Sequence, residues 1–131
     1  MPLQDRDYLL RQIERLAEVL AAFFGRVEGT GTKEVERELE RVRATLLGPL
    51  RDGFSRLEPD SLVMLLGGAE KSRLVARVLE LEADLREHEG DGARAARLRR
   101  QALALLDAVA RKEPRAVDDA HRARVAALEA K

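Results

Sequence analysis

The stretch DYLLRQIERLAEVLAAFFGRV, residues 7–27, contains two rows of apolar residues at helical spacing. The first row steps by four and three residues through Leu9, Ile13, Leu16, Leu20, Phe23 and Val27. The second row lies beside it at Leu10, Ala17 and Phe24. Residues three and four apart share one face of a helix, so the stretch predicts a helix with more apolar surface than one neighbouring helix covers. We therefore expect a second body against the second row, either another part of this chain or another chain.

The amino-acid composition favours helices over strands. Leucine and alanine are abundant, aromatic residues make up 3% of the chain, and charged residues make up 37%. Leucine and alanine have high helix propensity, whereas strands are enriched in aromatic and β-branched residues. At 131 residues the chain has the length of one domain. We predict an all-α protein, an antiparallel helical bundle of five to six helices in a single domain spanning residues 1–131.

Apolar spacing and helix-boundary residues predict where the helices lie. They place helices at about 4–25, 33–47, 61–66, 69–89, 91–111 and 114–131. We expect Asp60 to cap the short third helix, and Gly67 and Gly68 to end it. Since the residues of that helix, SLVMLL, are apolar all round, we expect it to be enclosed. This division gives an N-terminal helical hairpin over 4–47, a linker with the short apolar helix over 48–68, and a C-terminal three-helix unit over 69–131.

The composition excludes several classes of chemistry. The chain contains no cysteine, which rules out disulfides, thiolate nucleophiles and cysteine-ligated metal sites. Its positive and negative charges cancel at neutral pH, so no long-range field attracts nucleic acid or an anionic membrane. The first residues, MPLQDRDY, lack the layout of a signal peptide, and no apolar run reaches membrane-spanning length. We expect a cytoplasmic protein that does not bind a membrane and needs no cofactor.

Neither histidine has the spacing of a metal ligand. His88 stands between Glu87 and Glu89, and adjacent residues on a helix do not point at a common ion, so we expect it at a solvated helix end. His121 lies on the apolar seam of the sixth helix. There we expect one ring nitrogen to bind a backbone carbonyl or Asp118, and a pH-sensitive interface is the alternative.

The fourth helix contains a run of carboxylates that resembles a metal-binding pattern. The run consists of Glu80, Glu82, Asp84 and Glu87. Metal sites in helical bundles need carboxylates and histidines that point inward from several helices. We expect Glu80 and Glu87 to point away from the apolar seam of this helix. We therefore predict no metal site.

The densest basic cluster contains Arg94, Arg97, Arg99 and Arg100. Three of these, Arg94, Arg97 and Arg100, are spaced to form a small phosphate- or RNA-binding strip. No aromatic side chain is interleaved to stack on bases, and acidic residues lie next to the cluster. We expect a salt-bridged surface here, and weak nucleic-acid binding through this strip is the alternative function.

Three segments resemble known helical proteins. DYLLRQIERLAEVLA resembles the opening of a family of small, uncharacterised bacterial helical proteins that reads roughly D-Y-(I/L)-(L/M)-R-x-I-E-x-L. PDSLVMLL is similar to the short middle helix of the same family. Downstream, LELEADLREHEGDGARAARLRRQALALL resembles a degenerate tetratricopeptide-like helix–turn–helix, with Gly90 or Gly92 at the turn. The resemblance implies an all-helical protein and no catalytic residues.

The two apolar rows of the first helix lead to a prediction of function. We predict a non-catalytic protein that acts by protein–protein interaction, as a homodimer or with another protein as its partner. The expected interface residues are Leu9, Leu10, Ile13, Leu16, Ala17, Leu20, Phe23 and Phe24. Burying one leucine or phenylalanine from such a row contributes roughly 1.5–3 kcal/mol. A ligand pocket between the two halves of the chain, near Tyr8, Phe54 and Met64, is a third and less favoured hypothesis.

Overall fold

The computed structural model describes residues 3–24 and 32–131, with side chains for residues 7–15, 17, 18 and 33–131. The described residues form six α-helices and three 3₁₀ turns, and no strand occurs among them. The helices are α1 (Leu3–Phe24), α2 (Thr32–Leu47), α3 (Pro59–Leu65), α4 (Ala69–His88), α5 (Gly92–Lys112) and α6 (Asp119–Glu129). The 3₁₀ turns are Gly48–Leu50, Phe54–Arg56 and Pro114–Ala116. The predicted all-α class is confirmed.

Helix α4 is the centre of the structure. It packs against α1, α2, α3 and α5, and its Glu80 forms an ion pair with Arg124 of α6. More than half of its 20 residues are buried. The buried apolar side chains of all six helices form one cluster, so residues before and after the 48–68 segment share a core along α4.

The first apolar row of α1 faces this core. Leu9 and Ile13 of this row are buried by the chain's own helices, and Ala17 of the second row is also partly buried against the core. Leu10, in the second row, remains 47% exposed. The other predicted interface positions, Leu16, Leu20, Phe23 and Phe24, have side chains outside the described residues.

The short helix α3 is covered on one side only, so the expectation that it would be enclosed is wrong. Leu62 and Val63 are buried, whereas Met64 and Leu65 are more than half exposed. The seven-residue α3 packs mainly on α5 and α4, and the side that contains Met64 and Leu65 stays exposed.

The start of α3 also differs from the prediction, whereas its end agrees. Pro59 occupies the first turn, and the preceding residue makes no side-chain cap. Asp60 is not the cap, because it already lies in the first turn of α3, and its Oδ1 accepts a hydrogen bond from Arg111 Nη2 at 2.7 Å. Gly67 and Gly68 end the helix with φ of 88° and 120°, values that a side chain rarely permits.

The last two helices begin at aspartate caps. The Asp91 side chain accepts a hydrogen bond from the Arg94 backbone N–H at the start of α5. Asp118 caps α6 in the same way by accepting from the backbone N–H of His121 at 2.8 Å. Pro114 therefore does not open the sixth helix, as expected from the sequence, but a separate 3₁₀ turn.

Two glutamates of α4 are buried, although Glu80 was expected to point away from the apolar seam. Glu80 is 4% exposed and Glu82 is 6% exposed. Glu80 Oε1 lies 2.9 Å from Arg77 Nη1 and 3.0 Å from Arg124 Nη1 of α6. Glu82 Oε2 accepts a hydrogen bond from Arg43 Nη1 of α2 at 2.8 Å. A buried charge is costly unless it is paired, so these arginines allow two carboxylates to lie inside the fold.

We expect Glu82→Gln to lower the free energy of unfolding by about 2 kcal/mol, because Arg43 loses the negative charge of its buried partner while staying partly exposed. The matched control is Glu38→Gln, which removes a carboxylate paired with Arg41 at 2.8 Å on the surface. This control should cost less than about 0.5 kcal/mol. Urea unfolding followed by circular dichroism measures both changes, and equal shifts in the two midpoints would contradict the structural role of Glu82.

Candidate ligand-binding groove

A groove with a volume of about 490 Å³ lies on α4, between α1 and α6. Its lining residues are Asp7, Leu10, Glu14, Glu70, Arg73, Leu74, Arg77, Leu106, Asp118, Ala120, His121 and Arg124. The sequence positions of these residues show that the groove is assembled from four helices: α1, α4, α5 and α6. Pockets that hold small molecules typically have volumes of about 300–1,000 Å³.

Leucines from three helices supply the apolar part of the groove. Leu74 of α4 and Leu106 of α5 belong to the buried core and also line the groove. Leu10 of α1 lines it as well and is largely exposed. The groove therefore offers an apolar surface that is continuous with the core of the protein.

His121 is the most buried titratable side chain of the groove, at 4% exposure. Its Nδ1 is enclosed and has no hydrogen-bond partner in the described part of the chain. The Asp118 carboxylate, expected as a partner for the ring, instead accepts the backbone N–H of His121. Burial and the nearby charge of Arg73 lower the pKa of His121, against weaker opposing effects from Asp118, the Leu106 carbonyl and Asp107. The imidazole is therefore held in its neutral form.

The three arginines of the groove are each engaged with an acceptor of the protein itself. Arg73 Nη1 donates a hydrogen bond to the carbonyl of Ala116 at 2.6 Å. Arg77 and Arg124 both bind Glu80 Oε1. Among the described side chains, Arg77 Nε is buried without a hydrogen-bond partner. It lies 3.8 Å from Glu14 Oε1, which is too long for a direct hydrogen bond.

Carboxylates outnumber guanidinium groups along the groove. Its acidic lining residues are Asp7, Glu14, Glu70 and Asp118, and its basic ones are Arg73, Arg77 and Arg124. With His121 neutral, these groups leave one negative charge. The buried Glu80, which Arg77 and Arg124 share, adds another behind the lining.

The structure also places the residues of the other sequence-based hypotheses. The groove does lie between α1 and the C-terminal helices, but Tyr8, Phe54 and Met64 are not among its lining residues. Phe54 is buried elsewhere, with the guanidinium of Arg43 4.8 Å from the centre of its ring.

The basic cluster of α5 separates into buried and exposed members. Arg99 is buried, with Nη2 2.8 Å from Glu87 Oε2 and 3.1 Å from Asp84 Oδ1. The hydrogen bond from Arg99 lowers the pKa of Glu87. Arg94 Nη2 lies 3.5 Å from a carboxylate oxygen of Glu82.

The remaining two arginines of that cluster face solvent. Arg97 and Arg100 are exposed, and neither forms an ion pair with any residue that the structure describes. The predicted salt-bridged surface therefore accounts for Arg94 and Arg99 but not for the other two.

The described residues form neither a cluster suited to a metal ion nor a membrane-spanning helix. His88 is exposed in the last turn of α4, as the sequence predicted. No group of three or more histidine, aspartate or glutamate side chains in these residues is arranged to hold a metal ion. Within the same ranges, no helix combines the length and the apolar character needed to cross a membrane.

Sequence reasoning found part of the groove and missed the rest. Leu10 was predicted as a binding residue because it belongs to the second apolar row of α1. Leu74 and Leu106 look like ordinary core positions in the sequence, and Arg73, Arg77 and Arg124 look like solvated charges. No local pattern identifies them, since the groove depends on how helices distant in sequence lie side by side.

The chain was compared with models of protein families, with curated proteins and with solved structures. None of the three comparisons finds a match. The groove is therefore interpreted from its own geometry.

We expect the stability of the protein to fall as the pH drops from about 7 to about 5. The ordinary pKa of histidine is 6.5, and the pKa of His121 in the folded protein is lower. Over this range the unfolded chain binds more protons at this position than the folded chain, so acid favours unfolding. The free energy of unfolding, measured with urea at a series of pH values, should be level above that range and decline within it.

Two glutamine variants distinguish the contribution of His121 to this pH dependence from that of His88. His121→Gln should remove most of this pH dependence, whereas His88→Gln, at an exposed site, should keep it. A pH dependence that persists in His121→Gln would assign the effect to other groups. Asp118, whose pKa is held below its ordinary 3.8 by the hydrogen bond from the His121 backbone, contributes only at lower pH.

Proposed function

We propose that this protein is a non-catalytic binding protein that self-associates through the flank of α1 that contains Leu10. The observation that carries the proposal is the 47% exposure of Leu10 beside the leucines of the groove. The buried Leu9 and Ile13 fix α1 on the core of its own chain, and Leu10 on the same helix is exposed to solvent. Ala17 and Phe24 follow Leu10 in the second apolar row of the sequence. The structure packs Ala17 partly against the core, and the Phe24 side chain lies outside the described residues.

The polar groups of the groove support binding rather than covalent catalysis. Among the described residues its lining contains no hydroxyl, thiol or amine side chain, which leaves only carboxylates and His121 as candidate nucleophiles. Its arginines already bind acceptors of the protein.

A second copy of the chain is the partner that the α1 flank fits. A two-fold interface brings the same patch from both copies together, so the exposed Leu10 of each copy is buried. Burial of a leucine contributes roughly 1.5–3 kcal/mol. The charges beside Leu10 alternate in sign through Asp7, Arg11, Glu14, Arg15 and Glu18. Two antiparallel copies of α1 can set Arg11 of one copy against Glu14 of the other, which orients the pair.

We expect Leu10→Asp to convert a dimer into a monomer with little change in melting temperature. Leu10 is half exposed in the single chain, so a charge there disturbs the interface and not the core. Sedimentation velocity at micromolar concentration measures the change. Ile13 is a poor probe of the interface, because it is fully buried and its replacement by aspartate unfolds the chain.

Tyr8→Asp is the matched control for this experiment. Tyr8 is exposed on the same turn, but two residues of a helix separate side chains by about 200°, so it lies on a different flank from Leu10. This variant should remain a dimer. A monomeric wild-type protein would contradict self-association, and a monomeric Tyr8→Asp variant would contradict the choice of flank.

Weak nucleic-acid binding is the second candidate function, and it is supported by the exposure of Arg97 and Arg100 without ion partners among the described residues. Two free arginines form a smaller strip than the one expected from the sequence, since Arg94 is paired with Glu82. This candidate is therefore the weaker of the two.

A gel shift with single-stranded RNA at low salt tests the second candidate. If it is right, replacing both Arg97 and Arg100 by glutamate should abolish the shift, and added salt should weaken binding of the wild type. The control is the same double replacement at Arg37 and Arg56, which are also exposed and form no ion pair with the described residues. No shift with the wild type, or equal loss in both double variants, would exclude the α5 strip as the binding site.

A further inference from the structure

We propose that α6 detaches from α5 and α4 when His121 is protonated, while the other helices stay folded. The proposal concerns a single copy of the chain, so it does not depend on self-association.

Helix α6 is attached to the rest of the chain by one narrow face. Its inward positions, at the spacing of one helical face, are His121, Arg124, Val125 and Leu128. Only His121 and Leu128 are buried, whereas α5 buries eight side chains. A helix of 11 residues with so little buried apolar surface is expected to open before the core does.

Ion pairs hold the middle and the end of this region, and His121 holds its start. Arg124 Nη1, in the middle of α6, lies 3.0 Å from Glu80 Oε1. Lys131 Nζ, just beyond the end of α6, lies 3.0 Å from Asp84 Oδ1. In the first turn of α6 the buried side chain is His121, so the attachment of that turn depends on this imidazole.

The surroundings of His121 fit a neutral ring and disfavour a charged one. Its Nδ1 is enclosed and has no hydrogen-bond partner in the described part of the chain. Both ring nitrogens of a protonated imidazole carry a hydrogen, so protonation places an N–H at Nδ1 where no acceptor lies. A buried donor without an acceptor is costly, whereas in water, which the ring reaches on detachment, both N–H groups find acceptors.

The charged groups around the ring act in the same direction on balance. Burial and then Arg73 of α4 lower the pKa of His121, against weaker effects from Asp118, the Leu106 carbonyl and Asp107. The other charged residues that line the groove with His121 are Asp7, Glu14, Glu70, Arg77 and Arg124. On detachment the pKa of His121 returns toward its ordinary 6.5, so a falling pH favours the detached helix.

Detachment opens one side of the groove. Ala120, His121 and Arg124 line the groove from α6, so this wall is lost when the helix leaves. Leu106 of α5 lines the same groove and is 1% exposed while α6 is docked. Acid therefore controls access to an apolar surface of the core.

Hydrogen exchange of the backbone amides, measured by NMR on the full chain at pH 7 and pH 5, tests the proposal. Each rate is compared with that of an unstructured peptide of the same sequence at the same pH, which gives a protection factor. The α6 amides should be less protected than those of α4 and α5. Low concentrations of urea should leave the α6 values unchanged, because opening one helix exposes little surface.

The protection of α6 should fall roughly tenfold between pH 7 and pH 5. The ordinary histidine pKa of 6.5 sets an upper limit of about 25-fold, reached if the docked ring takes up no proton at pH 5.

Variants separate the proton on His121 from its packing. His121→Leu and His121→Gln cannot take up a proton, so the protection of α6 in each should be equal at the two pH values. Val125→Ala removes part of the apolar contact of α6 with the core, so it should lower the protection at both pH values and keep the fall between them. His88→Gln should behave as the wild type.

Each of the other outcomes overturns the proposal. Equal protection and equal urea dependence in α6 and α5 would show that α6 opens only when the whole chain unfolds. Equal protection of α6 at the two pH values in the wild type, or a fall that persists in both His121 variants, would show that His121 does not control the helix. Loss of α6 protection at pH 7 in both His121 variants would show a packing role alone.

Discussion

The pairing of two buried glutamates with arginines is the interaction on which the rest of the structure depends. Helix α4 has neighbours around most of its circumference, so some of its charged positions must lie inside the fold. Glu82 is bound by Arg43 of α2, and Glu80 by Arg124 of α6. Each pair offsets the cost of taking a carboxylate out of water, and each fixes a neighbouring helix at a defined place along α4.

The groove follows from the same arrangement. Helix α1 reaches α4 through Leu9 and Ile13, and α6 reaches it through Arg124. Between these two attachments the groove lies on α4, and the mostly buried Leu74 lines it. The same pairing reaches the groove, since two of its lining arginines, Arg77 and Arg124, are bound to Glu80.

Much of the fold was accessible from the sequence, and the errors have a common cause. Gly67 and Gly68 end α3 as predicted, because a positive φ is a local property that glycine permits. The enclosure of α3 was not a local property. Met64 and Leu65 are apolar, but whether they are covered depends on which helices reach them, and α4 and α5 reach only the other side. Of the candidate site, the sequence indicated Leu10 and singled out His121, and it indicated none of the arginines.

The sequence by itself determined the helices and most of their ends, because propensity, apolar spacing and caps such as Asp91 act over a few neighbouring residues. Only the tertiary structure decided that Glu80 lies inside, that Leu10 stays exposed while Leu9 is covered, and that His121 keeps an enclosed acceptor without a partner. Those outcomes depend on contacts between helices far apart in the chain. The burial of a side chain is set by the residues that pack against it, and a single stretch of sequence does not show which distant residues those are.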